Sequence, residues 1–160
     1  MNVRHLLGCG DPRCLALGRR RAPLKPENLF YVGARSYEPE ERAFIRQNNI
    51  FFGAPPPNRD TPSSVINHPS SILERIGGKK YIISFDFDVL DRRVFDALQV
   101  PEAGGPALPE IMALLSELIT PNMLAAEFVE YAPTLASLPG HQEIVKTIIN
   151  LFLNKCADFS

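Results

Sequence analysis

Hydrophobic positions along the chain switch between two spacings. Short apolar runs rich in β-formers occur at residues 29–33 (Leu-Phe-Tyr-Val-Gly), 50–52 (Ile-Phe-Phe), 81–86 (Tyr-Ile-Ile-Ser-Phe-Asp) and 123–129, and each predicts a strand. The run at 81–86 is almost continuously apolar before its carboxylate, the pattern of a strand covered on both faces. Between the runs the spacing turns helical. Pro39-Glu40-Glu41 opens a helix to about Gln47, with acidic residues where the helix dipole favours them, and Asn48-Asn49 stop it. A helix over 70–76 precedes Gly77-Gly78. Ile111, Leu114, Leu115 and Leu118 mark one face of another, ended by Thr120-Pro121-Asn122. A last helix is predicted over 143–153, with Ile144, Val145, Ile148, Ile149 and Phe152 mostly inward. Near the start, Asp11-Pro12 reads as an N-cap followed by Pro at the first helical position, with Gly18 as a stop.

Strands alternating with helices imply βαβ crossovers. The fold class expected is α/β, a partial three-layer α/β/α sandwich with a mainly parallel sheet. In such sheets chemistry gathers at the carboxyl ends of the strands.

The 160 residues suggest one domain, 1–160, that would bury roughly 70% of its unfolded surface. Prolines interrupt this picture: five of the 15 fall in a Pro-rich loop at about 54–69. A formal net charge of -1 supplies no global field for nucleic acid or an anionic membrane. Arg19, Arg20, Arg21 and Lys25 form a basic cluster without an aromatic platform, as on a solvated loop. Cys9, Cys14 and Cys156 lack disulfide-framework or zinc-ligand spacing and read as reduced thiols of a cytoplasmic protein. Neither a signal peptide nor an apolar run of membrane-spanning length is visible.

Sharp chemical content is confined to Ser84-Phe85-Asp86-Phe87-Asp88-Val89-Leu90-Asp91. A period of two places Asp86 and Asp88 on one side of the chain at the end of a buried strand. Two carboxylates held together repel and lose solvation, which raises the pKa of at least one unless a cation lies between them. A hard divalent metal would resolve that conflict. Alternatively, the pair simply ends the strand and caps the following turn.

This segment resembles the ureohydrolase signature (the arginase, agmatinase and formiminoglutamase family), Ser-x-Asp-x-Asp-x-x-Asp. Three further segments resemble the family in its order: Asn28 to Arg35 with Glu38-Pro39-Glu40-Glu41, Pro101-Glu102-Ala103-Gly104-Gly105, and Glu127-Phe128-Val129-Glu130-Tyr131-Ala132-Pro133. The resemblance implies a manganese-dependent hydrolase of guanidino or amidino C–N bonds. It implies Asp86 and Asp88 as metal ligands, Glu130 as receiver of the substrate's planar cation and Glu41 as a second substrate-side acid. A carboxylate suits such a cation because it accepts two parallel hydrogen bonds. An acid at either position also has an ordinary structural use, Glu41 as a first-turn helix charge and Glu130 as a strand end.

The resemblance covers only the second half of the family fold. Its Gly-Gly-Asp-His turn and Asp-Ala-His-x-Asp strand end have no counterpart, and His5, His68 and His141 are isolated. Arg92 stands where the family has Pro, residues 95–100 (Phe-Asp-Ala-Leu-Gln-Val) replace a Gly/Thr-rich loop, and Ala132 replaces Asn. A family strand from the unmatched half also lies between two strands matched here. The expectation is therefore an inactive isolated chain that binds Mn2+ weakly, with an exposed strand edge open to a homo-oligomer or a full-length relative. Competing readings are a non-catalytic pseudoenzyme or partner-binding subunit, and a haloacid-dehalogenase-type phosphatase, whose Asp-x-Asp strand end Asp86 and Asp88 also resemble.

Overall fold

The computed structural model describes residues 3–17, 24–53 and 69–159. These fall into two compact units, one drawn from residues 1–31 and 37–52, the other from 32–36 and 53–160. The Pro-rich loop lies outside the described residues, except for Pro69, and so do Gly18 and Arg19 to Arg21.

Among the described residues the first unit contains three short α-helices, a 3-10 helix at Pro26–Asn28 and a parallel strand pair. Helix α1 spans Val3–Leu6 and α2 spans Pro12–Ala16. Asp11 caps α2 as its sequence implies, with Oδ1 accepting from the Arg13 amide at 2.8 Å. Strand β1 is Phe30–Tyr31, α3 is Pro39–Gln47 and β2 is Phe51–Phe52. The run at 29–33 yields only two strand residues because Gly33 turns left-handed, at φ +77. Asn49, at φ +50, ends the turn after α3 in the same region, which Asn tolerates better than most residues. Phe30 pairs with Phe51 and Tyr31 with Phe52, and each ring meets its partner.

The second unit holds the main core. Helix α4 (Pro69–Ile76) leads through Gly77, at φ +61, to strand β3 (Tyr81–Asp86). A single-turn 3-10 helix, Phe87–Val89, follows directly. Helix α5 (Leu108–Leu118) buries the four positions expected of it, Ile111, Leu114, Leu115 and Leu118. Strand β4 (Met123–Val129) pairs in parallel with β3, with Ser84 opposite Glu127 and Asp86 opposite Val129. Helix α6 runs over His141–Ala157, longer at both ends than its apolar pattern predicts. Polar Gln142 and Asn154 cost little in a helix whose inward stripe, Ile148 and Phe152, is already buried.

One face of the β3–β4 pair carries Ile83, Phe85, Ala126 and Phe128 and packs against α5 and α6 through Ile111, Leu115, Ile148 and Phe152. Phe87 stacks on Phe95, with ring centroids 5.1 Å apart, and Phe128 meets Phe152 edge-on at the same distance. The opposite face departs from the expectation of a doubly covered strand, since Ile82 is 65% and Leu124 67% exposed. Residues 95–98 also differ from the loop they replace in the family resemblance. Phe95, Ala97 and Leu98 form part of the hydrophobic core.

Candidate functional site

The carboxyl ends of β3 and β4 lie side by side because the strands are parallel and in register. Both ends are acidic. Asp86 closes β3, Asp88 sits in the 3-10 turn, and Glu130 follows the last residue of β4.

Strand alternation continues up to Asp86 and then gives way. The chain leaves the extended conformation at Phe87, whose ring is driven into the core, 1% exposed, so Asp88 is presented from a turn. The Asp88 amide donates to Asp86 Oδ1 at 3.0 Å, which realises the turn-capping alternative. It also keeps the two carboxyl groups together. The Asp86 carboxyl is pushed from its ordinary 3.8 to about 6, chiefly by burial, against the pull of the Asp88 amide and with further upward pressure from the charges of Asp88 and Glu130. Asp86, Asp88 and Glu130 thus form one acidic cluster.

Glu130 adopts φ +62, the left-handed region that disfavours side chains with a Cβ by roughly 1–2 kcal/mol. Its surroundings impose that conformation. Tyr131 packs against Phe87 and Phe95, and the Ala132 amide donates to Ala97 O at 2.7 Å. Asp96 then receives the amides of Ser137 and Leu138 and the Ser137 hydroxyl, which secures the turn beyond. Non-glycine residues held in this region cluster at functional sites.

Glu41 belongs to the first unit. There its carboxylate accepts the Glu38 amide at 3.0 Å, the local role of an acid in the first turn of α3.

Three residues with no role in the sequence reading carry the architecture of the site. Asp91 is buried and accepts from the Arg93 amide and Nε, both at 2.8 Å, from Arg93 Nη2 at 3.1 Å, and from the Gly104 amide at 2.8 Å. Arg93 beside it holds this carboxyl well below the usual range. Gly105 lies against the backbone of residues 89–91. Arg35 reaches the carbonyls of Asp88 and Val89. All three fall within the motif segments already quoted, but their use depends on contacts between segments far apart in the chain.

An acid whose folded pKa exceeds its unfolded one stabilises less as pH rises from about 4 through about 6. Asp86→Asn, which keeps an oxygen for the Asp88 amide, is expected to be more stable than the parent above pH 6 by about 1 kcal/mol, after discounting for partial exposure. The gain should vanish near pH 4. Urea denaturation at pH 7.5 and pH 4 checks both halves.

Parallel strands connected through helices place the chain in the α/β class, and solved arginase structures share its fold. The chain superposes on Helicobacter pylori arginase with a TM-score of 0.71 at 27% identity, covering 84% of this chain and 46% of that one. Against a Bacillus subtilis arginase structure the TM-score is 0.83 at 22% identity, with 96% and 57% covered. In sequence, arginase from Bacillus caldovelox is 30% identical over 132 residues, 81% of this chain and 44% of the relative. The arginase family profile matches residues 16–150, and the chain belongs to the arginase family. It spans about half the length, or less, of these relatives.

Family members generally depend on manganese. Asp86, Asp88 and Glu130 offer the hard oxygen atoms that such an ion prefers. Among the described residues, however, no group of three or more His, Cys, Asp or Glu side chains is arranged to hold a metal ion. The described residues therefore show carboxylate oxygens at neighbouring strand ends and no assembled metal centre.

Proposed function

We propose that this chain supplies the carboxylate wall of a ureohydrolase-type site, one that hydrolyses a guanidino or amidino C–N bond, and that it has no turnover alone. The observation that carries this reading is the convergence of Asp86, Asp88 and Glu130 at adjacent strand ends in a member of the arginase family. Glu130 is the acid best suited to the substrate. Its carboxylate can accept two parallel N–H donors from a planar amidinium, and its held backbone lowers the entropy lost on binding. Asp86 and Asp88 favour a cation in front of them because a positive charge relieves both burial and mutual repulsion. Under this reading Asp86 and Asp88 are manganese ligands whose remaining partners another polypeptide segment provides. Glu41 keeps a substrate-side role only as an inference from its place in the motif.

The open face at Ile82 and Leu124 favours a second, compatible reading, in which the chain works as a subunit against another copy or a full-length relative.

Calorimetric titration with Mn2+ and a urea-release assay on arginine and agmatine test the first reading. Weak binding and no turnover are expected from the chain alone. Tight binding of two ions, or clear urea release, refutes the proposed dependence on further residues.

A further inference from the structure

We propose that Arg35 is the positioning residue of the acidic turn, a guanidinium pin that fixes the backbone bearing Asp88 relative to Asp86. Arg35 Nη1 donates to Val89 O at 2.6 Å and Nη2 donates to Asp88 O at 2.8 Å. Longer contacts reach Leu90 O at 3.4 Å, Glu102 O at 3.5 Å and, from Nη1, the nearby Gly33 O at 3.4 Å. The turn aims successive carbonyls at one point, and the guanidinium occupies it. Among the described residues no carboxylate pairs with Arg35, so its charge is directed at carbonyl oxygens. Its Nε is buried without an acceptor, so the side chain is placed for its Nη contacts at the expense of that atom.

Two features favour a fork over a point charge. The acceptors diverge across both terminal nitrogens, which a planar guanidinium spans and an ammonium does not. Gly33 brings the arginine's segment so near that a Cβ there would lie 2.6 Å from Val89 Cγ2, which sets a short, fixed reach. Arg35 thereby ties residues 33–35, the acidic turn and the segment at Glu102, three stretches distant in sequence. This deepens the proposed acidic site, and it rests on that reading only where a cation is used below.

Amide hydrogen exchange on the full chain tests the pin. In Arg35→Lys, the amides of Leu90, Asp91 and Arg92 are expected to exchange at least about tenfold faster, the effect of losing a hydrogen bond to a charged donor. Ile83 and Phe128, in the paired strands, should be unchanged. In Arg35→Ala, added guanidinium ion should restore protection to the turn, and added ammonium ion should not. Should Arg35→Ala fail to fold, the lysine variant decides on the same amides. Unchanged exchange in the turn, or equal acceleration in turn and strands, overturns the assignment. With Mn2+ as probe, the Asp86 and Asp88 amide signals should broaden at lower concentration in the parent than in Arg35→Lys. No broadening in the parent would count against the cation reading of the site, while the exchange comparison would still decide for or against Arg35.

Discussion

Gly105→Ala is expected to destabilise the protein by about 3–5 kcal/mol, a large part of the stability an ordinary domain possesses. An added Cβ would sit 2.4 Å from Val89 O, 2.5 Å from the Asp91 amide nitrogen and 2.6 Å from the Leu90 carbonyl carbon. All three are backbone atoms, so no side chain can swing aside. Relief requires the turn to move, and the turn is held where it is. The Asp91 amide donates to Pro106 O at 3.4 Å, the Arg92 amide to Glu102 O at 3.0 Å, and the Gly104 amide to Asp91 Oδ2 at 2.8 Å. Displacement would strain or break these bonds and loosen the turn that carries Asp88. Gly78→Ala is the control. Its Cβ would meet nothing within 4 Å, and only its left-handed φ of +74 opposes the change, for about 1 kcal/mol. Urea midpoints of the two variants beside the parent separate the steric claim from a general intolerance of glycine replacement.

Asp91→Asn is expected to cost about 3 kcal/mol at neutral pH. The carboxylate accepts four hydrogen bonds and has no donor to offer, so its environment is built wholly from donors. An asparagine would point an N–H group at one pair of them. Most of the loss should come from the bonds that the backbone amides of Arg93 and Gly104 make to the buried carboxylate. The Arg93 side chain is 82% exposed, and water replaces much of what it contributes. The pH dependence follows from the depressed folded pKa. Asp91 contributes stability that is fully present above its unfolded value of about 3.9 and is lost as pH falls through its lower folded value. The gap between parent and variant should be full at pH 7 and should narrow below about pH 4. Denaturation curves at pH 7 and pH 3 measure it, and a gap unchanged between them would show that the carboxylate charge is not what holds this loop. Asp86→Asn should have the opposite sign in a higher pH window, so the two acids can be told apart by direction alone.

Much of the local structure was readable from side-chain order. Strand β3 and strand β4 begin and end where the apolar runs do, and the inward stripe of α5 follows from the spacing of four aliphatic residues. Pro39 with Glu41, and Asp11 with Pro12, marked helix starts because capping is a contact between near neighbours. The acidic cluster was legible in part. Asp86, Asp88 and Glu130 stood out through their motifs, and parallel pairing brings the ends of their strands together. Arg35 and Gly105 did not stand out, since an arginine and a glycine in a loop have many ordinary uses. What they do depends on carbonyls and backbone that lie 53 to 55 residues away for Arg35 and more than a dozen for Gly105.

The order of residues by itself determined the alternating elements, the acidic strand ends and membership of the arginase family, because hydrophobic period, capping and motif spacing are properties of neighbours along the chain. Tertiary structure alone decided how those acids are held. It turned the backbone at Phe87 so that an aromatic ring fills the core and Asp88 faces outward, and it forced Glu130 into a left-handed bend over that aromatic shelf. It also left Ile82 and Leu124, on one side of the β3–β4 pair, largely exposed. Each outcome depends on which distant atoms compete for the same space, and no local pattern encodes that competition.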